Sequence, residues 1–377
     1  MPEGHSIHRH AQLLTSLFMG QPVRVSSPQG RFATGAAILN GEVPGRAAAW
    51  GKHLFVPFYP LNVSDDVDLG ATRIGRSPAA VGTSPVDAPA AHWLHIHLGL
   101  YGRWRLGGPG TAGLTGAGIT EAPTEDSGMS GPRRGASGTK ADAGNARSGR
   151  LGVGADSEVQ RADLSVADPA ANRPKFGSIN RDNTTDLEGS KLLTPTPTTR
   201  MLMYSERAAA MLTGPTRCEV ISPAEVAEAV AKLGPDPVRN EPGDRERFIE
   251  AARKRRVPVG QIVMDQAVVA GPGNIYRAEC LWRTGIDPLR PANRVSKARL
   301  GRLWDDLAEE MRRGVPTGIA TTIPDEYRPD QSVEGDEELD RVAVYHRDGR
   351  PCVRCGTTVR MEVLAGRKLY WCPGCQR

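Results

Sequence analysis

The sequence CVRCGTTVRMEVLAGRKLYWCPGC, residues 352–375, decides the fold of the C-terminal part of this 377-residue chain. Two Cys-x2-Cys pairs enclose sixteen residues, a spacing typical of a zinc ribbon, in which four thiolates bind one Zn²⁺ tetrahedrally. We expect a β-hairpin between the pairs, with strands at 357–363 and 369–371 and a tip at 365–368. The alternative interpretation of the cysteines is a pair of disulfides.

Cysteine usage in the rest of the chain favours zinc over disulfides. No hydrophobic signal segment opens the sequence, and only Cys218 and Cys280 lie outside the cluster, as expected in a reducing cytoplasm. Those two are interpreted as buried thiols. The prediction is one structural Zn²⁺ with no open coordination position, bound by Cys352, Cys355, Cys372 and Cys375.

The expected ribbon is strongly basic. Residues 341–377 include eight Lys or Arg and two acidic residues, a formal charge of +6, whereas the whole chain carries +5. Residues 325–340 hold eight carboxylates and one arginine, so charge is segregated along the sequence. A small basic hairpin stiffened by metal is suited to binding the phosphate backbone of a nucleic acid. The alternative is a solvated, purely structural ribbon.

The sequence MPEG at residues 1–4 provides a possible nucleophile. Removal of Met1 would free the ring nitrogen of Pro2 as a secondary amine. An α-amino group has a pKa of about 7.7–8.0, so a useful fraction is unprotonated at neutral pH and can form a Schiff base. Glu3 is then close enough to donate or accept a proton. Taken alone, such a start also occurs by chance.

Two helices separated by a breaker are predicted in the second half of the chain. Residues 259–270 have helical periodicity and end at GPG, residues 271–273, which a helix does not readily continue through. A second helix is expected from Asn274 to about Gly285. Asn274 is then either an ordinary N-cap or a residue that binds phosphate beside the free N–H groups of the helix start.

Together these features resemble the formamidopyrimidine-DNA glycosylase/endonuclease VIII family of base-excision repair enzymes. Five segments carry the resemblance in the family's order: MPEG at 1–4, WGKHL at 50–54, HLGLYG at 97–102, MDQ at 264–266 with GNIYR at 273–277, and VYHRDG at 344–349 before the ribbon. GK at 51–52, LYG at 100–102 and WCPGCQ at 371–376 favour the endonuclease VIII branch, especially its actinobacterial members.

The resemblance implies catalytic roles for four residues. Pro2 would be the nucleophile at the sugar C1′, and Glu3 the acid that opens the deoxyribose. Lys52 would contact a phosphate next to the lesion and support catalysis, together with Arg367. Without the flanking motifs, Lys52 would be interpreted as a surface lysine.

The resemblance also implies DNA-binding roles. Asn274 and Arg367 would hold the backbone on either side of the damaged nucleotide, with Lys52 beside them. Leu100 and Tyr101 would fill the gap left by an everted base; the alternative is that they belong to a strand core. His95 and His97 alternate along a predicted strand and are interpreted as packing or hydrogen-bonding residues rather than a metal pair.

The function implied is that of a bifunctional DNA glycosylase/AP lyase acting on abasic sites and oxidised bases. His5 and Ser6 replace the proline and glutamate of the formamidopyrimidine branch, which favours pyrimidines as substrates. Cleavage would proceed by β- or β,δ-elimination. The partner would be damaged DNA, whether duplex, bubble or single-stranded. The alternative functions are a non-catalytic, zinc-dependent binder of damaged or single-stranded DNA and a zinc-ribbon transcription factor.

The expected architecture is an α+β fold with two lobes and the ribbon. An N-terminal β-sandwich lobe spans 1–213, with an N-terminal helix and flexible insertions at 62–91 and 107–199, whose composition is poor in aromatic residues. A helical lobe with a helix-two-turn-helix spans 214–320, and the ribbon spans 341–377. We expect a monomer with no membrane partner, located in the cytoplasm and on the nucleoid when bound to DNA.

Overall fold

The computed structural model describes residues 2–61, 69, 74–75, 90, 92–108, 119–121, 193–328 and 338–377. These residues belong to one compact unit that spans 1–123 and 187–377; the second unit, 124–186, lies outside the described residues. Within the described part, every helix is too short or too polar to cross a lipid bilayer.

The N-terminal lobe is a β-sandwich, as predicted. Its strands are β1 (Arg24–Ser26), β2 (Val43–Pro44), β3 (Ala48–Trp50), β4 (His53–Tyr59), β5 (His92–His97), β6 (Arg103–Gly107), β7 (Ile119–Glu121), β8 (Thr199–Tyr204), β9 (Ala209–Thr213) and β10 (Arg217–Ile221). One sheet has the order β1-β8-β9-β6-β7, and the other has the order β10-β5-β4-β2, with β3 also paired to β4.

Apolar residues of the two sheets and of α1 (Gly4–Phe18) form one core. The helix contributes one apolar stripe, formed by the buried residues Ile7, Ala11, Leu14 and Phe18. The short helix α2 (Ala33–Leu39), which the sequence did not reveal, covers the sandwich beside β1. The N-terminal helix is therefore fixed to the sheets along its whole length, which also fixes the start of the chain.

Two predicted limits of this lobe are wrong. The boundary at residue 213 is too early, because β10 pairs with β5 along five residues, from Arg217 opposite His97 to Ile221 opposite Trp93. The segment 107–199 was expected to lack structure, yet β7 lies within it and pairs in parallel with β6. Most of 62–91 and 107–199 lies outside the described residues.

The helical lobe contains α3 (Pro223–Ala231), α4 (Asp244–Arg253), α5 (Val259–Ile262), α6 (Asn274–Arg283) and α7 (Lys297–Gly314). A capping box opens α3, with the side chains of Ser222 and Glu225 each accepting the other's backbone N–H. Short 3₁₀ turns lie at Ala292–Arg294, Asp325–Tyr327 and Leu339–Arg341. Helix α7 packs one apolar face into the lobe, with four fully buried residues: Leu300, Leu303, Leu307 and Met311.

The helix predicted over 259–270 is much shorter than expected. It ends at Ile262, and the chain continues to α6 through successive turns. Polar side chains supply the reason: Asp265 Oδ1 accepts the N–H of Ala267, and Gln266 Oε1 accepts the N–H of Gly271. Such local side-chain acceptors compete with helical hydrogen bonds. The result is a helix-two-turn-helix with a short first helix.

The ribbon is a two-stranded antiparallel hairpin, β11 (Arg360–Leu364) and β12 (Arg367–Trp371). Its tip is a two-residue turn, Ala365 and Gly366, both with positive φ. Buried side chains of α6 and the ribbon form a common cluster, which includes Trp282 and Tyr370. The ribbon is thereby held against the helix that begins at Asn274.

Candidate active site

The start of the chain is seated at the beginning of α6. Both oxygens of the Glu3 carboxylate accept backbone hydrogen bonds, one from the N–H of Gly273 at 2.7 Å and one from that of Ile275 at 3.0 Å. A helix N-terminus carries free N–H groups and partial positive charge, so it stabilises a carboxylate there. Pro2 and Glu3 are both buried. The structure thus places the two predicted catalytic residues next to the helix-two-turn-helix.

The backbone at Glu3 and Gly4 lies in close contact with residues 271–273. The N–H of Gly4 donates to the carbonyl of Gly271 at 2.9 Å. A Cβ added at Gly273 would lie 2.5 Å from the carboxyl carbon of Glu3, closer than real side chains approach. Gly273 of the helix-breaking sequence at 271–273 therefore also makes room for the Glu3 carboxylate, which a larger residue would not do.

Lys52 is presented by a two-residue turn between β3 and β4. Trp50 pairs with His53, which leaves Gly51 and Lys52 as the turn. Gly51 has φ +58°, and a Cβ there would come within 2.8 Å of the Cβ of Ala270. Glycine at this position lets the turn of the sandwich lobe approach the helical lobe directly.

The electrostatic surroundings of Lys52 connect it with other predicted site residues. Lys52 is half-buried, and it is not a free surface lysine. Burial lowers the pKa of Lys52, the Glu3 carboxylate raises it, and the Arg367 guanidinium lowers it. Lys52, Glu3 and Arg367 therefore lie within electrostatic range of one another, although they come from three distant parts of the sequence.

Asp236, which sequence reasoning missed, connects the turn that presents Lys52 with helix α1. Its carboxylate accepts from the N–H of Gly51 and from that of Val238, both at 2.8 Å, and contacts His8 Nε2 of α1 at 2.8 Å. Burial would raise the pKa of Asp236, but His8 and the backbone donors more than offset this effect and lower it. The only signal in the sequence is a carboxylate between two prolines at 235–237.

Asn274 faces the ribbon and does not cap its own helix. It is the first residue of α6, and its Nδ2 donates to the carbonyl of Lys368 at 2.9 Å. The buried Arg277 bonds both Asn274 Oδ1 and the Lys368 carbonyl. Burial, followed by the charge of Arg367, lowers the pKa of Arg277 to about 10. The N-cap interpretation is therefore wrong, and Arg277 is a second residue that sequence reasoning missed.

Leu100 and Tyr101 lie on an exposed turn and not in a strand core. Their exposed fractions are 55% and 78%, among the largest for apolar side chains in the described part of the chain. The turn directly follows His97, whose pKa is lowered by burial and by the charge of Lys52. Two large apolar side chains are thus exposed at the same end of the sandwich as Lys52.

The histidines of β4 and β5 form a hydrogen-bonded chain. His53 Nδ1 and His95 Nε2 lie 2.8 Å apart, and His95 Nδ1 lies 3.0 Å from Glu219 Oε1. His97 bonds Thr216. The prediction that His95 and His97 pack and form hydrogen bonds is confirmed. Among the described residues, the only group able to supply three metal ligands is the cysteine cluster.

The four ribbon cysteines fit a single structural Zn²⁺. Their sulfurs all lie within 4.8 Å of one another. Cys352 and Cys375 Sγ are 3.8 Å apart, and Cys355 and Cys372 Sγ are 3.5 Å apart, too far for disulfides, whose S–S length is about 2.05 Å. Sulfurs that surround Zn²⁺ tetrahedrally at about 2.3 Å lie about 3.8 Å apart. The indole N–H of Trp282 also donates to Cys352 Sγ at 3.3 Å.

Comparisons with known sequences agree with this architecture. Residues 233–325 match the formamidopyrimidine-DNA glycosylase H2TH domain, and residues 349–377 match the zinc finger found in FPG and IleRS. The chain is 32% identical over 383 residues to proteins named Endonuclease 8 1 from Mycobacterium tuberculosis and Mycobacterium bovis, with 100% of each chain covered. It is 40% identical over 152 residues to a formamidopyrimidine-DNA glycosylase of Parasynechococcus marenigrum, covering 39% of this chain and 51% of the relative.

Solved structures show the same fold. A Lactococcus lactis FPG in complex with Fapy-dG containing DNA superposes with a TM-score of 0.59 at 18% identity, with 100% of both chains covered. The MutM (FPG) protein of Thermus thermophilus gives a TM-score of 0.58 at 21% identity, with 100% of this chain and 98% of that chain covered. At such identities the likeness concerns the fold alone.

The chain combines a β-sandwich lobe, a helix-two-turn-helix that binds the Glu3 carboxylate, and a zinc ribbon. This combination defines the class of DNA glycosylases that also cleave abasic sites. The full-length similarity makes the assignment specific. The chain belongs to the formamidopyrimidine-DNA glycosylase/endonuclease VIII family of base-excision repair. It is a DNA glycosylase and AP lyase that binds damaged DNA.

Proposed function

We propose that this enzyme excises oxidised pyrimidines and cleaves abasic sites with the Pro2 amine as its nucleophile. The observation that carries the proposal is the pair of hydrogen bonds that Glu3 accepts from backbone N–H groups at the N-terminus of α6. These bonds fix Glu3, the neighbour of Pro2, at the helix start that includes Asn274 and within electrostatic range of Lys52, which supports the proposal.

The chemistry follows from a free amine at residue 2 once Met1 is removed. The nitrogen attacks C1′, the glycosidic bond breaks, and the base leaves with a proton. Glu3 transfers protons as the sugar ring opens and an iminium forms. The iminium acidifies the C2′ hydrogens, so loss of one expels the 3′ phosphate. A second elimination would expel the 5′ phosphate, and water then releases the amine.

DNA binding would expose the reacting carbon. A nucleotide must leave the base stack before its glycosidic bond can be reached, at a cost of a few kcal/mol. Leu100 and Tyr101 are exposed and would fill the resulting gap, as apolar wedges do. Asn274 and Arg367 would hold the phosphates on either side, with Lys52 next to the lesion.

The preference for pyrimidines rests on two residues of α1. His5 is buried, packs edge-on against Tyr276 at 5.2 Å between ring centroids, and lies 3.2 Å from the carbonyl of Gly318 through Nε2. Ser6 Oγ donates to the carbonyl of Glu3. These residues occupy positions where the purine-specific branch has a proline and a glutamate, which supports a different base preference.

The decisive experiment is borohydride trapping on DNA that contains an abasic site. We expect a covalent complex with protein whose first residue is Pro2. Pro2→Gly, or an N-terminal extension, should suppress the complex, because both alter the attacking amine. Mass spectrometry of each preparation establishes whether Met1 has been removed.

The opposite result supports the second function. Protein that begins at Pro2 and binds abasic DNA without giving a trapped complex would be a non-catalytic, zinc-dependent binder of damaged DNA. A panel of duplex, bubble and single-stranded substrates with defined oxidised bases tests the pyrimidine preference; faster excision of oxidised purines would contradict it. We also propose that the enzyme is monomeric and acts in the cytoplasm on nucleoid DNA.

A further inference from the structure

The turn at 344–347 exposes a histidine in a backbone conformation that favours glycine. The N–H of Arg347 donates to the carbonyl of Val344 at 3.1 Å, and His346, the third residue of the turn, has φ +55°. Positive φ at this position of a turn is normally met by glycine, because a Cβ there crowds the backbone. Conformations of this kind are concentrated at functional sites.

The other two non-glycine residues with positive φ in the described part of the chain have structural explanations. Asn240 Oδ1 accepts the indole N–H of Trp304 at 2.9 Å. Ala365 belongs to the two-residue turn of the ribbon hairpin, which requires positive φ. His346, in contrast, is exposed, and its ring nitrogens bond no other described residue.

The conformation of the turn is imposed by its surroundings. The buried carboxylate of Glu279 on α6 accepts the N–H groups of Val344 at 2.9 Å and Tyr345 at 2.8 Å. The rings of Tyr345 and His346 stack with centroids 4.1 Å apart, and Tyr370 packs edge-on against both. The imidazole is therefore held in place before any ligand arrives.

The position of this imidazole continues the phosphate-binding groups of the site. Tyr345 and Tyr370, which both contact the imidazole, belong to the cluster that packs α6 against the ribbon. Asn274 donates to the carbonyl of Lys368, two residues before Tyr370 on β12. We propose that His346 is a further DNA-binding residue, which donates a ring N–H to a phosphate oxygen next to those held by Asn274 and Arg367. This inference rests on the proposed DNA-binding role of that surface.

The test compares three substitutions at one position, with affinity measured by fluorescence anisotropy on a duplex that carries a stable abasic-site analogue. His346→Gly and His346→Ala should bind about 3- to 10-fold more weakly, since both lose the donor. His346→Asn should recover part of the affinity, because asparagine tolerates positive φ and keeps N–H donors. His92→Ala, which removes a partly exposed imidazole from the sandwich, should bind like the unchanged enzyme.

Stability measurements separate a DNA contact from a structural role. His346→Gly removes the conformational conflict, so it should unfold at the same or a higher temperature while binding DNA more weakly. Unchanged affinity in His346→Gly, or an affinity loss accompanied by a matching loss of thermal stability, would overturn the inference. Borohydride trapping with the unchanged enzyme tests the catalytic role of Pro2 separately. If the enzyme binds the abasic-analogue duplex but forms no trapped complex, the affinity measurements still test the role of His346.

Discussion

Arg367 lies at the first position of β12, with an exposed guanidinium whose charge acts on both Lys52 and Arg277. In the proposed phosphate-binding role, Arg367 would contribute through its charge as well as its geometry. Neutralising one phosphate releases about one counterion, so each such contact adds about 0.9 to the salt slope on duplex DNA.

We expect Arg367→Ala to weaken binding of all DNA sequences and to reduce the slope of log Kobs against log[salt] by about one unit. The measurement is a salt titration of binding to an abasic-analogue duplex. Arg360→Ala is the matched control, because it removes the same charge from the other end of the ribbon hairpin. Equal slopes for the enzyme and Arg367→Ala would remove Arg367 from the set of phosphate contacts.

Single residues also show where sequence reasoning stops. The roles of Pro2 and Glu3 could be suggested from four letters, because a proline at position 2 has unusual chemistry. Asp236 and Arg277 could not be found in this way. Their importance arises from partners more than ninety residues away, Lys368 for Arg277 and Gly51 for Asp236, and no local pattern records such contacts.

At the scale of the elements, α6 contacts several separate parts of the molecule. Its first turn holds Asn274 and receives Glu3, its middle holds Glu279, and its last turn places Trp282 against the zinc ribbon. Helix periodicity predicted its start and its approximate length. The same reasoning made α5 eight residues too long, because the apolar residues after Ile262 are buried by turns and not by a helical face.

The contact between α6 and the zinc site leads to a prediction about metal retention. Trp282→Phe keeps an aromatic ring beneath the Arg354 guanidinium but removes the N–H bonded to Cys352 Sγ. Zinc release to a chromogenic chelator should become faster, because loss of such supporting interactions typically weakens metal binding by about 10- to 100-fold.

Trp304→Phe provides the control for this prediction. It removes a buried indole N–H that bonds Asn240 in the helical lobe, away from the cysteines. Its zinc release should match that of the unchanged enzyme. Identical release rates for both variants would show that the Trp282 hydrogen bond has no influence on the metal.

At the scale of the whole molecule, stability should depend on the buried histidines of the sandwich. Burial, together with neighbouring charged groups such as Arg217, lowers the pKa of His53 and His95 to about 3. In the unfolded chain a histidine has a pKa of about 6.5. Below that pH the unfolded state binds more protons than the folded state. The contribution of these histidines to the free energy of unfolding is therefore complete above about pH 6.5 and is lost as the pH falls towards 3.

The free energy of unfolding should therefore fall by about 1.4 kcal/mol per pH unit for each of these histidines below pH 6.5. Urea unfolding at pH 7.5, 6.5 and 5.5 measures the slope. His95→Phe, which can stack on Phe55, should reduce the slope. Equal slopes for His95→Phe and the unchanged enzyme would contradict the prediction.

The division into lobes was predictable to the extent that it follows from local signals. The cysteine spacing predicted the ribbon, and the breaker at 271–273 predicted where α6 begins. The lobe boundary was placed too early because the pairing of β10 with β5 depends on a strand more than a hundred residues away in the sequence. Likewise, nothing in the composition around β7 indicated that it would add to β6.

The bonding of Glu3 to Gly273 and Ile275 has a consequence for biosynthesis. About 270 further residues have to be translated after Glu3 before the N–H groups of Gly273 and Ile275, which bind its carboxylate, exist. Until then the N-terminus lacks the hydrogen bonds that hold it in the folded protein. An aminopeptidase that removes Met1 can therefore act during synthesis, before folding buries Pro2 and Glu3.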